Sequence, residues 1–160
     1  MKLVQIYEEL SLGHKERVHI SYHPVESVKD MTNNQSEGIY RKPKGFWYGF
    51  GSRWINKEKN LMGKLEFTNN NRYGYKLYVD TSKIFSVNSK EDLNYINKNY
   101  SIEGDNVDWG KFAQDYNGIE IPYLFKLGVE FKGPYSWLST WDVSSGCIWN
   151  PSSIVKLKKL

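Results

Sequence analysis

A single cysteine, Cys147, in 160 residues rules out an intramolecular disulfide framework, and no cysteine-rich zinc spacing is present. Long apolar runs are missing as well. Nothing approaches the ~20 residues needed to span a bilayer, so no membrane partner is expected. The opening stretch "MKLVQIYEELSLGHKER" has too short an apolar run for a signal peptide and meets Glu8 and Glu9 early. The expectation is a cytoplasmic protein. Neither sign of charge dominates: 22 basic residues stand against 18 acidic ones, a balance that permits an anionic partner without demanding one. Glycine patterns of the phosphate-cradling type are absent. Histidine is scarce, and His19 and His23 lie four apart on what reads as a strand, a poor clamp for a metal; with His14 they offer only proximity in sequence.

What the chain does have is aromatic residues, 16% of the total with 12 tyrosines, alongside 39% hydrophobic residues. That suits a single α+β domain over residues 1–160, large enough to bury a real core. Val4 to Tyr7 and Val18 to Tyr22 read as short strands. After Pro24, "VESVKDM" reads as one or two helical turns with Val25 and Val28 inward. Thr32 to Lys44 is polar and turn-rich, a long exposed loop. "GFWYGFG" reads as a buried aromatic strand leading into a Ser-capped helix, "SRWINKEKNLM". "RYGYKLYVD" alternates, with Tyr73, Tyr75, Leu77 and Val79 on one face and Gly74, Lys76 and Tyr78 on the other. "KIFSV" is a further strand.

Two helices follow. "SKEDLNYINKNY" carries a capping box at Ser89 and Asp92 and an apolar stripe at Leu93, Ile96 and Tyr100. "DWGKFAQDY" starts at Asp108, turns Trp109, Phe112, Ala113 and Tyr116 to one side, and is expected to stop at a left-handed Gly118. "IEI" is a strand, and residues 122–135 form a loop. "WLSTWDV" and "GCIWN" read as two strands, or as one strand bulged at Ser144–Ser145–Gly146. The lysines of the final "KLKKL" read as a solvated tail. The order of elements lacks regular βαβ alternation and predicts a mostly antiparallel sheet flanked by short helices.

Two features invite a chemical reading. Cys147 alternates with apolar neighbours, which favours an inert core thiol over a nucleophile. In "RKPKGFWYGFGSRW", Arg41, Lys42, Lys44 and Arg53 flank Phe46, Trp47 and Tyr48, a pattern able to stack on unpaired bases. The same pattern also suits a strand with its aromatics packed inside.

The succession "SYHPVESV", "GFWYGF", a helix, "YKLYVDTSKI", a helix ending in "YNGIEI", and "GCIWNPSSI" resembles the His-Tyr-Glu branch of the ADP-ribosyltransferase fold over roughly residues 19–155. The resemblance implies a split antiparallel sheet and NAD as cofactor. It gives His23 the histidine that hydrogen-bonds the adenosine-side ribose. Trp47 falls on the family's tyrosine and Tyr48 on the phenylalanine after it, so that an aromatic stacks on nicotinamide; Arg53 joins them in the expected cofactor-binding set. Cleaving the nicotinamide–ribose bond develops positive charge on the sugar, which a nearby carboxylate stabilises. The family's catalytic glutamate falls on Ser145, with Asp142 three residues upstream and Glu120 as stand-in carboxylates. Pro24–Val25 replaces the usual Gly-Thr after the histidine. The resemblance further implies a macromolecular acceptor, protein or nucleic acid, and a role as an effector in microbial or viral conflict. The alternative is a non-catalytic module that uses the basic-aromatic strand to hold a nucleotide or nucleic acid.

Overall fold

A computed structural model describes residues 15–35, 42–54, 72–103 and 105–160. Among these residues, seven strands form one sheet in the order β4-β7-β8-β2-β1-β3-β9. The strands are β1 (Arg17–Ser21), β2 (Phe46–Phe50), β3 (Tyr73–Val79), β4 (Ile84–Ser86), β7 (Gly118–Ile121), β8 (Ser145–Ile148) and β9 (Ile154–Lys159). β4 runs parallel to β7, and every other neighbouring pair in the sheet is antiparallel. A small hairpin, β5 (Ser101–Ile102) with β6 (Asn106–Val107), joins helix α1 (Lys90–Tyr100) to helix α2 (Trp109–Asp115). The expected α+β class with a mostly antiparallel sheet is present. No described helix is long and apolar enough to cross a membrane.

Both helices begin where local chemistry dictates. The Ser89 hydroxyl accepts from the Asp92 N–H at 3.2 Å, and the Asp92 carboxylate accepts from the Ser89 N–H at 3.0 Å. Each such cap contributes about 1 kcal/mol. The Asp108 carboxylate accepts from the Lys111 N–H at 3.0 Å. The expected stripes are buried at Leu93, Ile96 and Tyr100 of α1 and at Trp109, Phe112 and Ala113 of α2, while Tyr116, the last residue of the second stripe, lies just past the end of α2 and is only partly buried. They pack on one face of the sheet with Trp137, Trp141 and Trp149. The alternation of β3 also holds, with Tyr75 and Leu77 buried and Tyr78 exposed.

Five expectations are corrected. Residues 25–31 form no helix; the Val25 N–H donates to the Tyr75 hydroxyl (2.9 Å) and the Met31 N–H to the Trp149 carbonyl (2.8 Å), so tertiary partners replace helical ones. "WLST" belongs to a 3-10 segment, Gly133–Thr140, rather than a strand. Trp137, Leu138 and Trp141 are all buried, a one-sided spacing that a strand would divide between two faces. No bulge interrupts Ser144–Gly146, because Ser145 and Gly146 pair in register with both β2 and β7. Gly118 is not a left-handed stop but a strand residue: a Cβ there would lie 2.7 Å from the Cys147 carbonyl oxygen. The lysine-rich end is strand β9, paired along β3.

The long loop from Thr32 is drawn in at its base. Gln35 is buried, accepts from the Lys44 N–H (2.9 Å) and donates to the Lys44 carbonyl and to Met31 O (3.0 Å). The expected strand at Val4–Tyr7, most of the Ser-capped helix, His14 and Arg41 lie outside the described residues.

Candidate functional site

The sheet opens between β1 and β2. Those strands pair at two positions only, Arg17↔Phe50 and Val18↔Gly49, whereas β1 pairs with β3 at five and β2 with β8 at four. Beyond Val18 the strands part, and the imidazole of His19 occupies the gap. It stacks on Phe46 with ring centres 4.0 Å apart, and its Nδ1 lies 2.6 Å from the Trp47 carbonyl oxygen. A carbonyl only accepts, so the proton of this bond sits on Nδ1. Burial holds the imidazole's pKa below its ordinary range, opposed by the bond to Trp47, which favours the charged form.

A shallow cavity of about 460 Å³ lies where the strands diverge, lined among others by His19, Ser21, His23, Gly45, Phe46 and Trp47. A second cavity, about 200 Å³, is lined by Lys42, Trp47, Trp54, Asp142, Val143 and Ser145. Trp47 lines both. Its ring leans edge-on against Trp141, with centres 5.0 Å apart, and the Lys42 ammonium stands 5.4 Å from its centre. The larger space falls within the range of small-molecule sites, roughly 300–1,000 Å³, and the smaller is of a size for a single ring.

The sheet order brings the expected residues together in part. His23 is exposed at the rim of the larger cavity, its carbonyl accepting from the Ser21 hydroxyl at 2.6 Å. Asp142 borders the smaller one with its side chain half exposed, its Oδ2 3.7 Å from the Lys42 ammonium. Ser145, also on the smaller cavity, donates its hydroxyl to the Val143 carbonyl at 2.9 Å.

Three other candidates are drawn elsewhere. Arg53 donates to the Pro122 carbonyl at 2.7 Å and borders neither cavity. Tyr48 and Glu120 point to the opposite face of the sheet from Trp47 and Ser145, as neighbours in a strand must. There Glu120 takes both ends of the Arg17 guanidinium, Nε at 2.9 Å and Nη2 at 3.0 Å, and accepts from the Tyr48 hydroxyl at 2.9 Å. Burial works against the Arg17 charge, but the hydrogen bond and attraction of Glu120 outweigh it and its pKa is raised. Burial, then the Glu120 charge, pushes the Tyr48 hydroxyl well up. Tyr48 is wholly buried and has no face to offer a ligand, and the Glu120 carboxylate is already engaged. Gly146 makes the network possible: a Cβ at that position would meet the Tyr48 ring at 2.4 Å.

Cys147 is fully buried, and burial pushes its thiol well above the ordinary range, as befits a core residue. Among the described residues no three His, Cys, Asp or Glu side chains are grouped to hold a metal ion. Sequence reasoning passed over three contributors. Arg17 gave no local signal of its distant partner, Lys42 was read as a flank of a base-stacking strand rather than a partner for Asp142, and His19 was weighed only as a metal ligand. The chain matches no protein-family model, no curated protein and no solved structure.

Proposed function

We propose that the chain is an ADP-ribosyltransferase-like protein that binds NAD across Trp47, where β1 and β2 part. The observation that carries this reading is that Trp47 lines two cavities, one with His23 on its rim and the other bordered by Asp142 and Ser145. The resemblance calls for a histidine strand, an aromatic strand and a late strand around one cleft, and the order β1-β2-β8 supports it by making these three neighbours. His23 then meets the adenosine-side ribose, the Trp47 ring stacks on nicotinamide, and Asp142 is the carboxylate beside the sugar that becomes positive as the nicotinamide bond breaks. Glu120 and Tyr48 have no part in this assignment. The acceptor is a macromolecule, protein or nucleic acid, and the setting is that of a cytoplasmic effector.

The test is nicotinamide release from NAD by the purified protein with a cell lysate as the source of acceptor. Release that falls by about 100-fold in Asp142→Ala, with binding retained, supports the enzyme. No release with any lysate removes it.

One observation favours a second reading, in which the site binds a nucleotide without turnover. Lys42 partly neutralises Asp142, and Ser145 stands where the family has glutamate, its proton given to Val143. That version predicts quenching of tryptophan fluorescence by ADP-ribose, lost in Trp47→Ala, with no nicotinamide released.

A further inference from the structure

At the β9 side of the sheet, away from both cavities, the cross-strand register sets Lys76 opposite Lys158 and Tyr78 opposite Lys156. Residues directly opposed in an antiparallel pair share a face, so these four side chains form one surface. Tyr78 is 41% exposed, and Lys156 and Lys158 are exposed as well. The ammonium groups of Lys76 and Lys156 stand 5.4 and 5.9 Å from the centre of the Tyr78 ring. Lys76 is paired with Glu16, so the surface sets three lysines against that carboxylate and keeps a positive excess.

Lys76 and Lys158 are opposed like charges, which weaken a strand pair, and Glu16 offsets part of this at Lys76. Lysines on an edge strand commonly block pairing with another chain. On β9, the outermost strand among the described residues, that device accounts for Lys156 and Lys158, and Glu16 accounts for Lys76, but neither accounts for the open ring of Tyr78 on the interior strand β3. An exposed ring framed by ammonium groups suits an unpaired base followed by its phosphates: the ring offers a stacking face and the lysines replace counterions. A bilayer of anionic lipid would use the charge, but a single ring, 41% exposed, offers it little apolar area to bury.

We infer that the β3–β9 face binds single-stranded nucleic acid, with a base on Tyr78 and phosphates at Lys76, Lys156 and Lys158. The inference stands apart from the NAD reading, since none of these residues lines either cavity. If both hold, the nucleic-acid option becomes the acceptor class.

The experiment is fluorescence anisotropy of a labelled oligothymidine with the full chain, repeated over a salt series and without NAD, so that failure of the NAD reading leaves it untouched. Expected is an affinity that falls with a log–log salt slope of about −2, from roughly three phosphate contacts on a single strand. Tyr78→Ala should weaken binding about tenfold while Tyr78→Phe preserves it. Lys156→Glu with Lys158→Glu should abolish it, with the circular dichroism spectrum unchanged. No binding at low salt overturns the inference. So does binding indifferent to Tyr78→Ala, or vesicles of phosphatidylserine bound in preference to the oligonucleotide. Tyr78→Phe guards against a folding defect: equal loss in Ala and Phe variants would also overturn the stacking role.

Discussion

On one face of β7, Ile119 and Ile121 enter a cluster of indole and phenyl rings; on the other, Glu120 meets Arg17 and Tyr48. The first face is packed by shape. Trp109, Trp137 and Trp149 lie around Phe112 with ring centres 5.5 to 6.4 Å apart where they touch, largely edge to face. Such contacts are non-directional in their main term, so loss scales with the volume removed. The second face is held by geometry and charge. Its three groups satisfy one another, and removing any one strands the rest in a place with little water. The apolar face should therefore degrade by degrees and the polar face all at once.

The largest expected effect is on the apolar face. Trp149→Ala removes a wholly buried indole and its 2.7 Å hydrogen bond to the Tyr116 carbonyl. It should cost about 4 kcal/mol, read as a lower urea midpoint with an unchanged slope. Glu120→Gln should cost about 3 kcal/mol, because Arg17 keeps its charge and loses its counter-charge and one of two acceptor oxygens; the cost is held down by the partial exposure of Arg17. The triple change Arg17→Met, Glu120→Leu and Tyr48→Phe removes all three polar groups together, sharpens the contrast and should recover to within about 1 kcal/mol of the parent. A triple variant as unstable as the single one would mean that the polar face, too, is held by packing rather than by paired charge.

Gly146→Ala tests the seam between the strands. Its Cβ would overlap the Tyr48 ring, which is rigid and fully enclosed, and should cost about 2 kcal/mol in the same urea titration. The smallest effect concerns His19. Its folded pKa lies below the ordinary 6.5, so the unfolded chain binds a proton that the folded protein refuses. This contribution to stability is full above pH 6.5 and is lost as the pH falls from there through the folded value. Comparing the urea midpoint against pH for the parent and for His19→Phe isolates it: the variant should lack that part of the acid slope.

The parts of the fold that could be read in advance are those whose cause is local. Ser89 and Asp92 sit three residues apart and cap α1 with no help from elsewhere. The stripe Trp109, Phe112, Ala113 repeats at helical spacing, and Tyr75 and Leu77 alternate as a half-buried strand must. "WLSTW" misled because its β-favouring residues suggested a strand while its spacing is one-sided, and the burial of Trp137, Leu138 and Trp141 decided the matter. "KLKKL" misled because its lysines resemble a tail; pairing with β3 gives their backbone a ladder while the ammonium groups stay in water. For the candidate site, the order of short motifs pointed to Trp47, His23 and Asp142, but not to their arrangement.

Arg17 and Glu120 are 103 positions apart, and nothing near either residue announces the other. They meet because β1, β2, β8 and β7 lie side by side and because Gly146 leaves room for the Tyr48 ring between them. Caps, stripes and alternation follow from backbone hydrogen bonding and side-chain periodicity within a few residues, and any chain with this order of residues carries them. Which strand neighbours which, where β1 and β2 part, and which carboxylate is spent on an internal ion pair while another stays at a cavity are settled by burial of a shared core. That is a property of the whole chain at once, and no short segment contains it.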